Sequence, residues 1–180
     1  ERGYRLVRFD NRDIGLTDQH PTSMKVNVPA TFIRNKLGLK TPTNYKLDTM
    51  ANDAIGLIEA LELKRPHLLG ISMGGMISQI VAAKAPEKIG KLVTLMSSTN
   101  NPRLPMPTPN VLHNMFLKKP KSQKIDDVVE HVERVFTAIG SPGYPPDPAK
   151  LRERARNSYQ RAYKPAGVLR QTHCVVATGS

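Results

Sequence analysis

The apolar positions of this chain follow two rhythms. Leu47, Met50, Ala51, Ala54, Leu57, Ile58 and Leu61 recur at helical spacing and predict an amphipathic helix over residues 46–62. Asp48 and Asp53 in its N-terminal half suit the positive end of the helix dipole. The run His67 to Ile71 is apolar at consecutive positions, which predicts a short strand buried on both faces. Met76, Ile77, Ile80 and Val81 return to the helical period and predict a helix over 73–84 that ends before Pro86. Residues 91–96 read as the next strand, and Tyr4, Leu6, Val7 and Phe9 as an earlier one over 4–9. Strands alternating with helices imply an α/β fold with a parallel sheet and right-handed crossovers.

Residues 10–44 are broken by Pro21, Pro29 and Pro42 and read as loop, with a short helix around 30–37. After Ser98 the pattern changes. Asn100 to Pro109 reads as a proline-rich linker. Ile125, Val128, Val129, Val132, Phe136 and Ile139 give one apolar stripe, predicting a helix over 125–139 with Gly140 as a left-handed stop. Asp147 and Pro148 suit the N-cap and first position of a helix reaching about Tyr163, and a last helix covers 167–176. The chain therefore reads as two regions, 1–100 with the sheet and 101–180 mostly helical.

The candidate chemistry lies where the strand 67–71 meets the helix 73–84. Gly70-Ile71-Ser72-Met73-Gly74 fits G-x-S-x-G, the nucleophile elbow, which requires a strand before it and a helix after it. A serine on so sharp a turn needs a strained backbone and a positive φ. Gly70 and Gly74 are read as the small residues that let strand and helix close on each other. The Met73 N–H would be an unpaired first-turn donor, suited to an oxyanion. The competing reading is a glycine-rich turn with an incidental serine, and the strand–turn–helix context favours the elbow.

Together with the stretch Tyr4 to Gly15, which carries Asp10-Asn11-Arg12-Asp13-Ile14-Gly15, and with the helix before the elbow, this motif resembles the α/β-hydrolase serine esterases. The tail resembles, more weakly, the aclacinomycin methylesterase branch. The resemblance implies that 1–100 is the central portion of an α/β-hydrolase sheet and that 101–180 is a helical cap or lid. It implies Ser72 as catalytic nucleophile and Met73 as oxyanion donor, acting on a small-molecule ester without any cofactor or metal. It also implies that the acid and histidine of the triad, and a second oxyanion donor, lie outside this chain, which reads as part of a longer protein. Asp10 and Arg12 are assigned to holding their loop. A thioesterase, perhydrolase, carbon–carbon hydrolase or aminopeptidase, or a non-catalytic binding module of the same fold, are the alternatives.

Composition changes this picture little. The net charge of +12 raises the question of nucleic acid, but the basic residues are dispersed at helical spacings without interleaved aromatics, which favours a solvated face. No apolar run is long enough to span a membrane. The single cysteine, Cys174, excludes an internal disulfide and favours a reducing, cytoplasmic compartment. Exposed sheet edges would favour a homo-oligomer or domain exchange with a second copy. Of the five histidines, His67 reads as structural, His113 and His131 as solvated or packed in the helical region, and His20 and His173 as the remaining candidates for a base.

Overall fold

The computed structural model describes residues 3–21, 24–101, 103–105 and 107–178. In chain order it forms α1 (Val28–Lys36), α2 (Leu47–Ala60), β1 (Leu68–Ile71), α3 (Met73–Lys84), a 3-10 turn (Pro86–Lys88) and β2 (Leu92–Leu95). There follow α4 (Pro109–Leu112), which runs into a wider turn of π type (His113–Leu117), then α5 (Ile125–Ile139), α6 (Pro148–Arg161) and α7 (Pro165–Thr178). Two compact units result: one from the chain up to Leu104 together with the segment from Lys164 onward, the other from Pro105–Tyr163.

In the first unit β1 and β2 pair in parallel, Leu68 opposite Leu92 and Ile71 opposite Leu95, with α3 as the crossover. Helix α3 packs on both strands and on α2, while α7 packs on α1 and α2. The core is Leu47, Met50, Ala51, Ala54 and Ile58 of α2, Ile77 and Val81 of α3, Tyr45, Ile89 and Cys174. The α2 and α3 members are among the positions that the helical period selects; Met76 and Ile80, also selected, pack partly buried against the core, while Leu61 at the end of α2 is exposed. Burial of each large aliphatic side chain contributes roughly 1.5–3 kcal/mol.

Three expectations are corrected in this unit. Residues 4–9 form no strand; they lack a ladder partner among the described residues, and Tyr4 and Leu6 are exposed. Alternation of side chains does not make a strand without a neighbouring backbone to bond. Strand β1 is not buried on both faces. Leu69 and Ile71 are 64% and 52% exposed, and their partners Val93 and Leu95 are half exposed too. The helices cover one face of the pair, and no described residue covers the other. Finally, the mostly helical region does not run unbroken from 101 to 180, because α7 returns to the first unit. Gly167 sets that docking: a Cβ there would lie 1.9 Å from the Asp13 carbonyl oxygen.

The second unit is built on α5 and α6. Val128, Val129 and Ala155 are buried between polar outer faces. Arg152 bonds Glu133 at 2.9 Å, Arg156 bonds Asp126 at 2.5 Å, and the Tyr159 hydroxyl donates to the Gln123 carbonyl at 2.8 Å. Asp147 caps α6, accepting from the amides of Ala149 and Lys150, with Pro148 at the first position. Gly140 follows α5 but is extended, φ −72° and ψ 165°, so α5 ends without the left-handed stop that the glycine suggests.

Candidate active site

Ser72 sits between the last residue of β1 and the first of α3, at φ 53° and ψ −121°. A non-glycine residue held there costs on the order of 1–3 kcal/mol and persists only where its surroundings over-determine it. They do so here through the backbone. The Ser72 N–H continues the ladder to the Leu95 carbonyl at 2.9 Å. The Ser72 carbonyl accepts from the Gly75 and Met76 amides at 2.9 and 3.3 Å and from the Ser97 hydroxyl at 2.8 Å. The side chain takes no part: Ser72 is exposed, and its hydroxyl has no hydrogen-bond partner among the described residues. Met73 opens α3, so its N–H is one of the first-turn donors that no intrahelical carbonyl reaches. The Met73 side chain packs against the core.

The two glycines of the motif part company. A Cβ on Gly70 would lie 2.3 Å from the Gly74 carbonyl oxygen and 2.6 Å from the Gly75 Cα, so strand and helix meet where no side chain fits. A Cβ on Gly74 would meet nothing within 4 Å, which corrects the assignment of Gly74 as a packing residue. The second close approach belongs to Gly75, where a Cβ would lie 2.5 Å from both Cβ and Oγ of Ser97. The glycine doublet was the available signal. Which member packs depends on where the end of β2 arrives, and no local pattern encodes that.

The loop before α1 holds a second polar centre. Asp10 accepts from the Leu16 amide at 3.0 Å, and Arg12 grips Asp53 with two bonds at 2.6 and 2.5 Å. Next to Arg12 stands Asp13, fully buried and at φ 73°. Its carboxylate accepts from Arg170 at 2.8 and 2.7 Å, from the Tyr45 hydroxyl at 2.6 Å and from the His20 amide at 2.5 Å. Burial pushes this acid up, but the bonds from Arg170, Tyr45 and His20 outweigh it and hold the carboxyl at about 2. Burial and the same carboxylate push the Tyr45 hydroxyl up. Sequence reasoning passed over Asp13, because Arg170 is 157 residues away. The loop lines a cleft of about 510 Å3 with Phe9, Asp10, Leu16, Asp53 and Leu57, which does not include Ser72.

No histidine bonds the Ser72 hydroxyl among the described residues. His67 accepts the Lys91 amide on Nδ1 at 3.0 Å and fixes the entry to β2. The His20 ring lies 5.7 Å from that of Tyr45, and His131 contacts Arg134 at 2.8 Å. His173 is buried in α7, where burial holds its pKa below the ordinary histidine range. Burial pushes the Cys174 thiol up to about 11, which keeps it an inert core side chain. Among the described residues no three His, Cys, Asp or Glu gather as a metal site, and no helix is long and apolar enough to cross a membrane.

Comparison with known proteins gives this geometry a setting. A rhodomycin D methylesterase of Streptomyces sp. (strain C5) is 21% identical over 169 residues, 84% of this chain and 51% of the relative. A 2-hydroxy-6-oxononadienedioate/2-hydroxy-6-oxononatrienedioate hydrolase of Paraburkholderia xenovorans is 40% identical over 58 residues, 31% of this chain and 20% of that protein. A crystal structure of a hydrolase from Pseudomonas aeruginosa PA01 aligns with a TM-score of 0.41 at 20% identity, over 78% of this chain and 48% of that one. The chain thus spans about half the length of the methylesterase it matches. Residues 1–161 match the alpha/beta hydrolase fold family, and with its parallel strands, crossover helix and strained serine between them this chain belongs to that family.

Proposed function

We propose that the protein carrying this chain is a serine hydrolase of carboxylic esters, with Ser72 as its nucleophile. The observation that carries the reading is the combination at Ser72 of a strained, multiply fixed backbone with an exposed hydroxyl that bonds to nothing described. The fold holds the backbone of Ser72 and uses its hydroxyl for no bond among the described residues.

In the reaction so assigned, the Ser72 oxygen attacks the ester carbonyl while its proton passes to a base. The negative charge on the former carbonyl oxygen is met by the Met73 N–H at the positive end of α3. Collapse expels the alcohol, which takes the proton back, and water then resolves the acyl-enzyme. The base is none of the five histidines in this reading, since none of them bonds the Ser72 hydroxyl among the described residues, and it is assigned outside this chain together with the acid and the second oxyanion donor. The methylesterase match supports an ester substrate, because it runs through most of this chain. The local match to a dienedioate hydrolase favours a second reading, in which the same serine acts on a substrate of that class.

The test is turnover of p-nitrophenyl acetate by the full-length protein, by its Ser72→Ala variant and by the 180-residue chain alone. The full-length protein is expected to turn over, Ser72→Ala to lose roughly 10⁴–10⁶-fold in kcat, and the isolated chain to be close to inert. Unchanged turnover in Ser72→Ala removes the nucleophile assignment. A full-length protein inert towards esters and also unlabelled by a fluorophosphonate probe favours the binding module.

A further inference from the structure

We infer that Ser97 is a positioning residue for the oxyanion donor, an inference that rests on the reading of Ser72 as nucleophile. Ser97 follows β2 and Met96, whose φ of 48° turns the chain back toward the elbow. Its hydroxyl donates to the Ser72 carbonyl at 2.8 Å. That carbonyl belongs to the same peptide unit as the Met73 N–H. The unit is planar and trans, so the C=O and N–H point in opposite directions along one plane. A bond that fixes the Ser72 oxygen therefore aims the Met73 proton. The Gly75 and Met76 amides also reach this oxygen, as the first turn of any helix allows; Ser97 adds a bond from a different element.

The surroundings make that bond specific. Ser97 lies against Gly75 so closely that no Cβ could stand between them. One turn on, Gln79 donates to the Gly75 carbonyl at 3.1 Å and to the Ser98 carbonyl at 2.9 Å. The segment after β2 is thus tied to α3 at the peptide that carries the donor and again one turn beyond it. A donor aimed in advance costs no reorganisation when charge develops, which is how an oxyanion site acts on kcat and leaves KM alone.

The experiment compares full-length wild type, Ser97→Ala and Ser97→Cys, the last keeping the shape with a weaker donor. It measures kcat and KM for p-nitrophenyl acetate, and amide hydrogen exchange of the peptide covering the elbow. Expected for Ser97→Ala is a kcat lower by roughly 10- to 100-fold with KM within about twofold, as a small misplacement of a catalytic group produces. Elbow amides should exchange faster, and Ser97→Cys should fall between. Wild-type kcat and exchange in both variants overturn the inference, as does a raised KM at unchanged kcat. If wild type itself is inert towards esters, the ester reading of Ser72 fails; faster elbow exchange in Ser97→Ala would then still support the brace, and unchanged exchange would remove both.

Discussion

Of the turns in the first unit that carry a polar residue at positive φ, two use it in opposite ways: Ser72 at 53° and Asp13 at 73°. Asp13 is fully buried and spends its carboxylate on Arg170, Tyr45 and the His20 amide. Ser72 is exposed, with its backbone N–H and C=O bonded and its hydroxyl bonded to none of the described residues. Strain alone does not mark a reactive residue. What separates the two is whether the side chain's bonding capacity is consumed by the fold or left over.

That contrast predicts different losses. Arg170→Ala would leave the Asp13 carboxylate buried without its cation, and should cost about 3–5 kcal/mol in a urea melt. Ser72→Ala should shift the same melt by no more than about 0.5 kcal/mol. Equal losses at the two positions would erase the distinction.

Within the elbow, Gly75→Ala forces a methyl into Ser97 and should cost about 1–3 kcal/mol, read as a lowered Tm. Acid should act on the other turn. The Asp13 carboxyl is depressed in the folded state, so its stabilisation is complete above the ordinary carboxylate range near pH 4 and is lost as pH falls towards about 2. The loss should be on the order of 1–2 kcal/mol. Asp13→Asn should flatten that part of the pH profile, and a profile identical to wild type would show that Asp13 is not the group responsible. The smallest effect is a gain. Gly74→Ala has open space and a helical site, and should stabilise by about 0.5–1 kcal/mol. A loss there would mean that Gly74 packs after all.

The same contrast explains what could be read from the sequence. The elbow is legible because its determinants lie within a few residues of Ser72: the apolar strand, Gly70, and the return of the helical period at Met76. The helices α2, α3 and α5 are legible for the same reason, each carrying its own apolar stripe. Contacts that join distant segments leave no such trace. Arg170 reads as one basic residue among many until α7 brings it to Asp13, and no local pattern joins Ser97 to the Ser72 carbonyl. The apolar alternation of residues 4–9 misleads because pairing is a property of two segments.

The central claim is that the free hydroxyl at the elbow is the nucleophile. Its most direct test is a fluorophosphonate probe on the full-length protein, with the modified residue located by peptide mass spectrometry. The account predicts a single covalent adduct on Ser72, absent in Ser72→Ala. An adduct on any other residue, or none in a protein that still hydrolyses esters, would contradict it.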